Sequence, residues 1–359
     1  MVMIASEVRW QDRHFVVPVE KIKLLEQWGY DAMFTAEFNG SDGLTPLAFI
    51  AGQTSRIKLG TRIAQVSARS PTWLAQAFQT IDRMAGGDRV IAGLGSSNAR
   101  IAEGWHGVRW GSPVARMRDT VAIMRQVFAG DQLVEHHGKV LSIPYPGDDA
   151  IAAEPWLPLM EMNPNIPIIV GAGQPRMTEL AGEVADGFYP IGFAPGMMSS
   201  YQPLLEAGFA RAGGGKSMDG FDVWIHVDII VSDDIRAAMQ PLKEYVAYYS
   251  ETLRKQMEFR GYQDLCNRLQ ELRAEGRLEE AAALVPDEYI DEGWLVGPID
   301  RVVRRLDPWL RAGATGVIFR YGPQVGGRNV TAGEGAETPE ENLEVFRAIA
   351  RAVGKPGAG

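Results

Sequence analysis

Two short loops carry the residue types from which a phosphate-binding site could be built. In the first, Gly93-Leu94-Gly95-Ser96-Ser97-Asn98 follows an apolar run that begins at Val90, and it leads on to Glu103, Trp105 and His106. Small residues let backbone N–H groups approach an anion closely, and the two hydroxyls add donors. The dinucleotide fingerprint G-x-G-x-x-G is not matched, because Asn98 stands where the third glycine belongs. In the second, Gly171-Ala172-Gly173-Gln174-Pro175-Arg176 runs into a helical pattern, which would set free N–H groups and a positive dipole end beside an anion. Either loop, read alone, is also a tight turn between a strand and a helix.

Other side chains suggest proton transfer or charge neutralisation. Glu37 follows an apolar run, where a partly buried carboxylate could have a raised pKa and pass protons near neutrality; an exposed cap or a salt-bridge partner is the alternative. His106 could hydrogen-bond a ligand or donate a proton with Trp105 flanking an aromatic ring, or both could pack at a rim. Arg62 and Arg69 could neutralise an anion or form internal salt bridges, and Asp42 reads as a helix cap. His136 and His137 have no nearby cysteine or well-spaced carboxylate pair, so no metal site is expected. Cys266, the one cysteine, is expected as a half-buried helical thiol. No G-x-S-x-G elbow or Walker loop supports a hydrolase or kinase.

The elements that must position these residues alternate regularly. Apolar runs at 3–8, 32–35, 57–66, 90–94, 166–171, 187–190, 224–231 and 316–319 are separated by helical patterns, several opening with Pro at a first-turn position. That beat predicts an α/β fold, a (β/α)8 TIM barrel with insertions, forming one domain over 1–359. The insertions are expected at 130–165, as a small hairpin plus loop, and at 254–296, as charged helices. A final helix is predicted over 298–311 and a terminal one over 339–353. In such a barrel the chemistry lies at the C-terminal strand ends, where both glycine loops, Glu37 and Arg62 fall.

Composition narrows the partners. The net charge of -9 and the lack of a Lys/Arg run argue against nucleic acid and anionic membranes, leaving a small molecule or a protein as the partner, and a small-molecule substrate is expected. No leader-type N-terminus or span of ~20 apolar residues is read. With its single cysteine the chain is expected to be cytoplasmic.

Together, T-A-E-F-N-G-S-D-G-L-T-P-L, T-S-R-I-K-L-G-T-R-I-A-Q-V-S-A-R-S-P, G-L-G-S-S-N-A-R-I-A-E-G-W-H-G, E-V-A-D-G-F-Y-P-I-G-F-A-P and V-P-D-E-Y-I-D-E-G-W-L-V-G-P resemble the bacterial luciferase-like family, in its deazaflavin-dependent branch related to methylenetetrahydromethanopterin reductase. The resemblance implies a TIM barrel binding coenzyme F-420, or FMN in sister branches, with the ring in the mouth and the phosphate among the strand-four and strand-five loops. Gly95, Ser96, Ser97 and Asn98 would form one wall, Gly171, Ala172, Gly173 and Gln174 the other. A bulge, often with a non-prolyl cis peptide, would fall around Arg62, Ile63 and Ala64 and press on the central ring. Ala36, which the resemblance sets among the cofactor contacts, and Glu37 stand where some relatives have an Asp-His pair, leaving Glu37 and His106 as the candidate catalytic groups. The expected activity is hydride transfer between F-420 and a small organic substrate. The alternatives are an FMN-dependent monooxygenase fed by a separate cofactor reductase, and a cofactor-binding protein without turnover. A homodimer is expected, and the helical insertion with the Gly-rich tail is the expected lid.

Overall fold

The computed structural model describes residues 2–8, 15–322, 324–325, 328–329 and 339–358. Eight parallel strands close on themselves: β1 (Met3–Glu7), β2 (Ala32–Thr35), β3 (Lys58–Thr61), β4 (Val90–Gly95), β5 (Ile168–Ala172), β6 (Gly187–Pro190), β7 (Asp222–Val231) and β8 (Gly316–Tyr321). Each pairs with the next in sequence, and β8 pairs with both β7 and β1, so the expected TIM barrel is the fold. Most of the Gly-rich tail, namely Pro323, 326–327 and 330–338, lies outside the described residues.

Strand residues alternate between two apolar environments, as a strand period of two requires. Ala5, Ala32, Phe34, Ile91, Ile169, Tyr189, Trp224 and Ile318 point into the barrel and fill it. Their neighbours, such as Ile4, Met33, Leu59 and Val223, face the surrounding helices. Trp224 fits because β8 has Gly316 beside it: a Cβ there would stand 2.4 Å from the indole ring. The barrel interior is therefore a packed plug at this level.

The helices follow the apolar periodicity. Between β3 and β4, Pro71–Met84 starts behind Ser70, whose hydroxyl accepts from the Trp73 N–H, and buries Leu74, Phe78 and Ile81 at helical spacing. Three local readings are corrected. The predicted strand 57–66 is two pieces, Lys58–Thr61 and Ala64–Gln65, separated by a cis Arg62–Ile63 peptide at the expected bulge. The predicted final helix 298–311 is also two, Ile299–Arg304 and Asp307–Leu310, because Pro308 has no N–H to return to the Arg304 carbonyl. The loop after Asn98 contains a short helix, Ala99–Gly104, capped by the Asn98 side chain.

Within 130–165 the hairpin His136–His137 with Ser142–Ile143 forms as expected, and the loop is tied back through Asn163 to Gln79 and Asp82. The helical insertion begins inside a longer helix than predicted, Ile235–Phe259, whose backbone leaves helical geometry at Tyr249. With Gln263–Ala274, Leu278–Leu284 and Asp287–Gly293 it encloses a separate apolar cluster containing Val246, Met257, Leu269, Tyr289 and Trp294. Cys266 lies in that cluster and is fully buried rather than half-buried, and burial pushes its thiol pKa up.

Candidate functional site

The strand ends give the barrel mouth two unlike sides. On the β4–β5 side the inward positions Gly95 and Gly171 have no side chain, and Ile63 lies across them: a Cβ on Gly95 would meet Ile63 Cδ1 at 2.3 Å, and one on Gly171 would meet its Cγ2 at 3.1 Å. Ala64 pairs with Leu94 and is buried, so the bulge is pinned to β4. Beyond Gly173 stands Ile191, 47% exposed although it ends an inward-facing series on β6. The result is a flat apolar shelf.

Above that shelf sit both glycine loops. Ser97 adopts a positive φ of 61°, and the Ser96 hydroxyl makes only a 3.5 Å contact to the Ser97 carbonyl. Asn98 and Gln174 are exposed residues that open helices, Asn98 through its side chain and Gln174 through its carbonyl, while Ala172 is buried beneath. No carboxylate occurs in 95–98 or 171–176. Arg100 and Arg176, exposed at the two helix starts, have no ion pair among the described residues; the sequence reading passed over both as ligand groups. A cradle of hydroxyls, open backbone and unpaired guanidinium groups fits the anionic tail of a nucleotide-like or deazaflavin cofactor.

Glu37 and His106 belong to a clamp linking three strand-end loops. Glu37 Oε1 accepts from the Gln65 N–H at 2.7 Å and from Arg69 Nη1 at 2.6 Å, and Oε2 accepts from the Gly43 N–H at 2.9 Å. The Gln65 amide donates to the Glu37 carbonyl at 3.1 Å, which turns its oxygen toward His106 Nε2 at 3.2 Å. His106 therefore donates from Nε2. Burial lowers its pKa, Glu37 opposing and Arg69 reinforcing that effect. Trp105 is 64% exposed and does not pack at the rim. Asp42 caps the next helix, accepting from the Leu44 and Thr45 N–H groups, as expected. Ala36 is buried on the inward face of β2.

The opposite side of the mouth, of which only Arg62 was read in the sequence, is charged. Arg62 reaches Glu7 at 2.5 Å, Arg320 grips Asp228 through Nε at 2.5 Å and Nη2 at 3.0 Å, and Arg320 Nη1 lies 3.9 Å from Glu7. Burial opposes the Arg320 charge, yet Asp228 and Glu7 outweigh it and raise its pKa. Between the guanidinium groups, Arg62 Nη1 approaches His226 Nδ1 at 3.4 Å. Burial, then Arg62 and Arg320, hold the His226 pKa well below its ordinary value. Tyr245, from the long helix, completes this side, its pKa pushed up to about 12 chiefly by burial. Alternation of polar His226 and Asp228 with apolar neighbours in β7 was the available sequence signal.

His136 pairs with Asp119 at 3.1 Å, away from the strand ends, and the described residues contain no cluster of three metal-ligating side chains. No helix among them is long and apolar enough to cross a membrane.

Comparison with known proteins assigns the chain to a family. Residues 18–316 match the model of the luciferase-like monooxygenase family. The chain belongs to that family. Among its members, a putative coenzyme F420-dependent oxidoreductase of Mycobacterium tuberculosis is 36% identical over 313 residues, covering 84% of this chain and 90% of the relative. A 5,10-methylenetetrahydromethanopterin reductase of Archaeoglobus fulgidus is 29% identical over 304 residues, covering 83% and 87%. In three dimensions the family fold recurs in the coenzyme F420-dependent tetrahydromethanopterin reductase of Methanopyrus kandleri, with a TM-score of 0.72, 22% identity and 98% of each chain covered.

Proposed function

We propose that this protein is an oxidoreductase that uses coenzyme F420 to transfer hydride to or from a small organic substrate. The observation that carries the reading is the Ile63 shelf over Gly95 and Gly171, set beneath two loops free of carboxylates and flanked by unpaired Arg100 and Arg176. The 36% identity to a relative named as F420-dependent supports the choice of cofactor. When bound, coenzyme F420 supplies the hydride chemistry, and the protein supplies orientation and a dry site.

Each part of the chain then has a task. Ile63, with Gly95 and Gly171 behind it, would support the flat ring, and Ser96, Ser97, Asn98 and the 171–174 backbone would hold the phosphate. Ala36 and Ala64 leave room beside it. Ile191 and Tyr245 keep water from the reacting faces. Glu37, whose carboxylate accepts from Gly43, Gln65 and Arg69, holds loops in place, and so does His106 through Gln65. We assign both a positioning part rather than proton delivery.

Titrating the purified protein with F420 and with FMN tests the proposal. Micromolar binding of F420, with substrate-dependent bleaching or recovery of its absorbance, is expected. Tight FMN binding with no response to F420, together with oxygen uptake once a reductase supplies reduced FMN, would replace it by the monooxygenase reading. F420 binding without turnover of any ketone, imine or enone would leave a carrier.

We also propose a homodimer. Phe49, Trp73 and Met84 on the helices after β2 and β3, with Trp156 and Leu159 on the loop tied to the second helix, are large exposed apolar side chains on neighbouring elements. Light scattering should give twice the chain mass, and Trp73→Glu should give monomer. The lone buried thiol suits a reducing compartment, and we place the protein in the cytoplasm.

A further inference from the structure

We infer that His226 presents its Nε2–H into the barrel mouth as a fixed hydrogen-bond donor for the carbonyl or hydroxyl oxygen of a small uncharged substrate. The inference rests on the oxidoreductase reading and adds to it both a substrate class and the residue that recognises it.

Three observations carry it. The first is position. His226 lies on the inward face of β7, next in register above Trp224, the indole that closes the barrel floor, and it is only partly buried. The second is tautomer. A guanidinium can only donate, so the contact from Arg62 Nη1 to Nδ1 at 3.4 Å requires Nδ1 to be the acceptor and leaves the proton on Nε2. Nε2 has no partner among the described residues and is not among the fully enclosed polar atoms that lack one. It therefore faces the space in which a substrate would lie.

The third is charge. The charges acting on His226 are Arg62 from the bulge after β3 and Arg320 from β8, and around those two stand Glu7 from β1, Asp228 from β7 and Tyr245 from the long helix. The guanidinium groups are matched by the carboxylates, and neither cation is free to take a phosphate or carboxylate substrate. A positive imidazole between them would be repelled by both, so the ring stays neutral and donates without protonating its partner. With Ile63 and Ile191 across the mouth, the fitting ligand is apolar with a single oxygen acceptor. The role needs no residue from the β2 loop, where Ala36 and Glu37 stand.

The test uses the full chain and cyclohexanone, with methylenecyclohexane as the isostere that lacks the oxygen. Long-range proton–nitrogen correlation on histidine-labelled protein, the His226 signal being identified by its loss in His226→Gln, reads the tautomer without cofactor. Expected is an Nε2–H imidazole that does not titrate near the ordinary histidine value, with Nε2 shifted by cyclohexanone and not by the alkene. An Nδ1–H tautomer, titration near the ordinary histidine value, or equal response to both probes would overturn the inference. In cofactor-loaded protein, wild type should hold cyclohexanone roughly tenfold more tightly than the alkene. His226→Phe should lose that preference, and His226→Gln, which keeps an N–H donor, should retain most of it. Unchanged preference in His226→Phe overturns the assignment while leaving F420 binding intact. Binding of FMN in place of F420 overturns the cofactor reading alone, and the same probes then decide His226 on the FMN-loaded protein.

Discussion

Replacing Glu37 by Gln tests whether the strand-end clamp is what holds the mouth in shape. The carboxylate is 8% exposed and accepts three hydrogen bonds, two on Oε1 and one on Oε2. An amide oxygen left at the Oε1 position keeps the Gln65 N–H and a weakened, uncharged bond to Arg69. The amide nitrogen then faces the Gly43 N–H, donor against donor. Orphaning a buried backbone N–H costs about 1–3 kcal/mol, and exchanging a charge-assisted bond for a neutral one costs about 1 kcal/mol more. Arg69 keeps a weak partner in Asp42 at 3.8 Å, which limits the loss. The sum is about 3 kcal/mol. For 359 residues at about 2.1 cal/mol/K each, unfolding entropy is near ~0.75 kcal/mol/K, so Tm should fall by about 4 °C. Urea and thermal melts followed by tryptophan fluorescence measure this. Leu at 37 should cost more than Gln, and adding Met at 69 to Leu at 37 should recover part of the loss, because the stranded guanidinium is then gone. A Tm change under about 1 °C in Glu37→Gln, or no coupling between 37 and 69, would refute the clamp.

Further outcomes follow from neighbouring contacts. Gly95→Ala puts a Cβ 2.3 Å from Ile63 Cδ1, so Ile63 must leave its shelf; F420 affinity should drop at least roughly tenfold for a stability cost of about 1–3 kcal/mol, and unchanged affinity in a fluorescence titration would place the ring elsewhere. Arg89, at the opposite end of β4, bonds the Thr54, Ile57 and Ala85 carbonyls and the Thr54 hydroxyl; Arg89→Lys should cost about 2–4 kcal/mol in urea melts with F420 affinity unaltered, since one ammonium cannot span that set. Arg100→Gln with Arg176→Gln should weaken F420 several-fold at low salt and little at high salt, and a salt-independent effect would remove them from the phosphate site. His226 has a depressed pKa when folded, so on acidification the unfolded chain takes up its proton first; the stability it contributes is whole above about pH 6.5 and is lost as pH falls through the folded value. His226→Gln should flatten the stability slope below that pH, and identical slopes would contradict the neutral imidazole.

All eight barrel strands were legible in the chain, because strands buried on both faces are continuous apolar runs and the barrel needs one between each pair of amphipathic helices. The loops at the ends of β4 and β5 were legible for a related reason: glycine, serine and proline at a strand-to-helix junction announce both the turn and the exposed N–H groups. Where the reading slipped, a local rule was missing, as with Pro308 inside the last helix and the helix that runs past Leu253 to Phe259.

The sequence by itself determined the alternation, the strand ends and the family. Only closure of the barrel decided who meets whom across it. Arg62 and Glu7 are 55 residues apart, Arg62 and His226 164, and their meeting depends on the stagger of strands around the ring, a collective quantity that no single segment encodes. Glu37 shows the same limit from the other direction. A lone carboxylate after a strand looks like a proton carrier until the fold brings Gly43, Gln65 and Arg69 to it, after which it accepts three hydrogen bonds that tie two loops together.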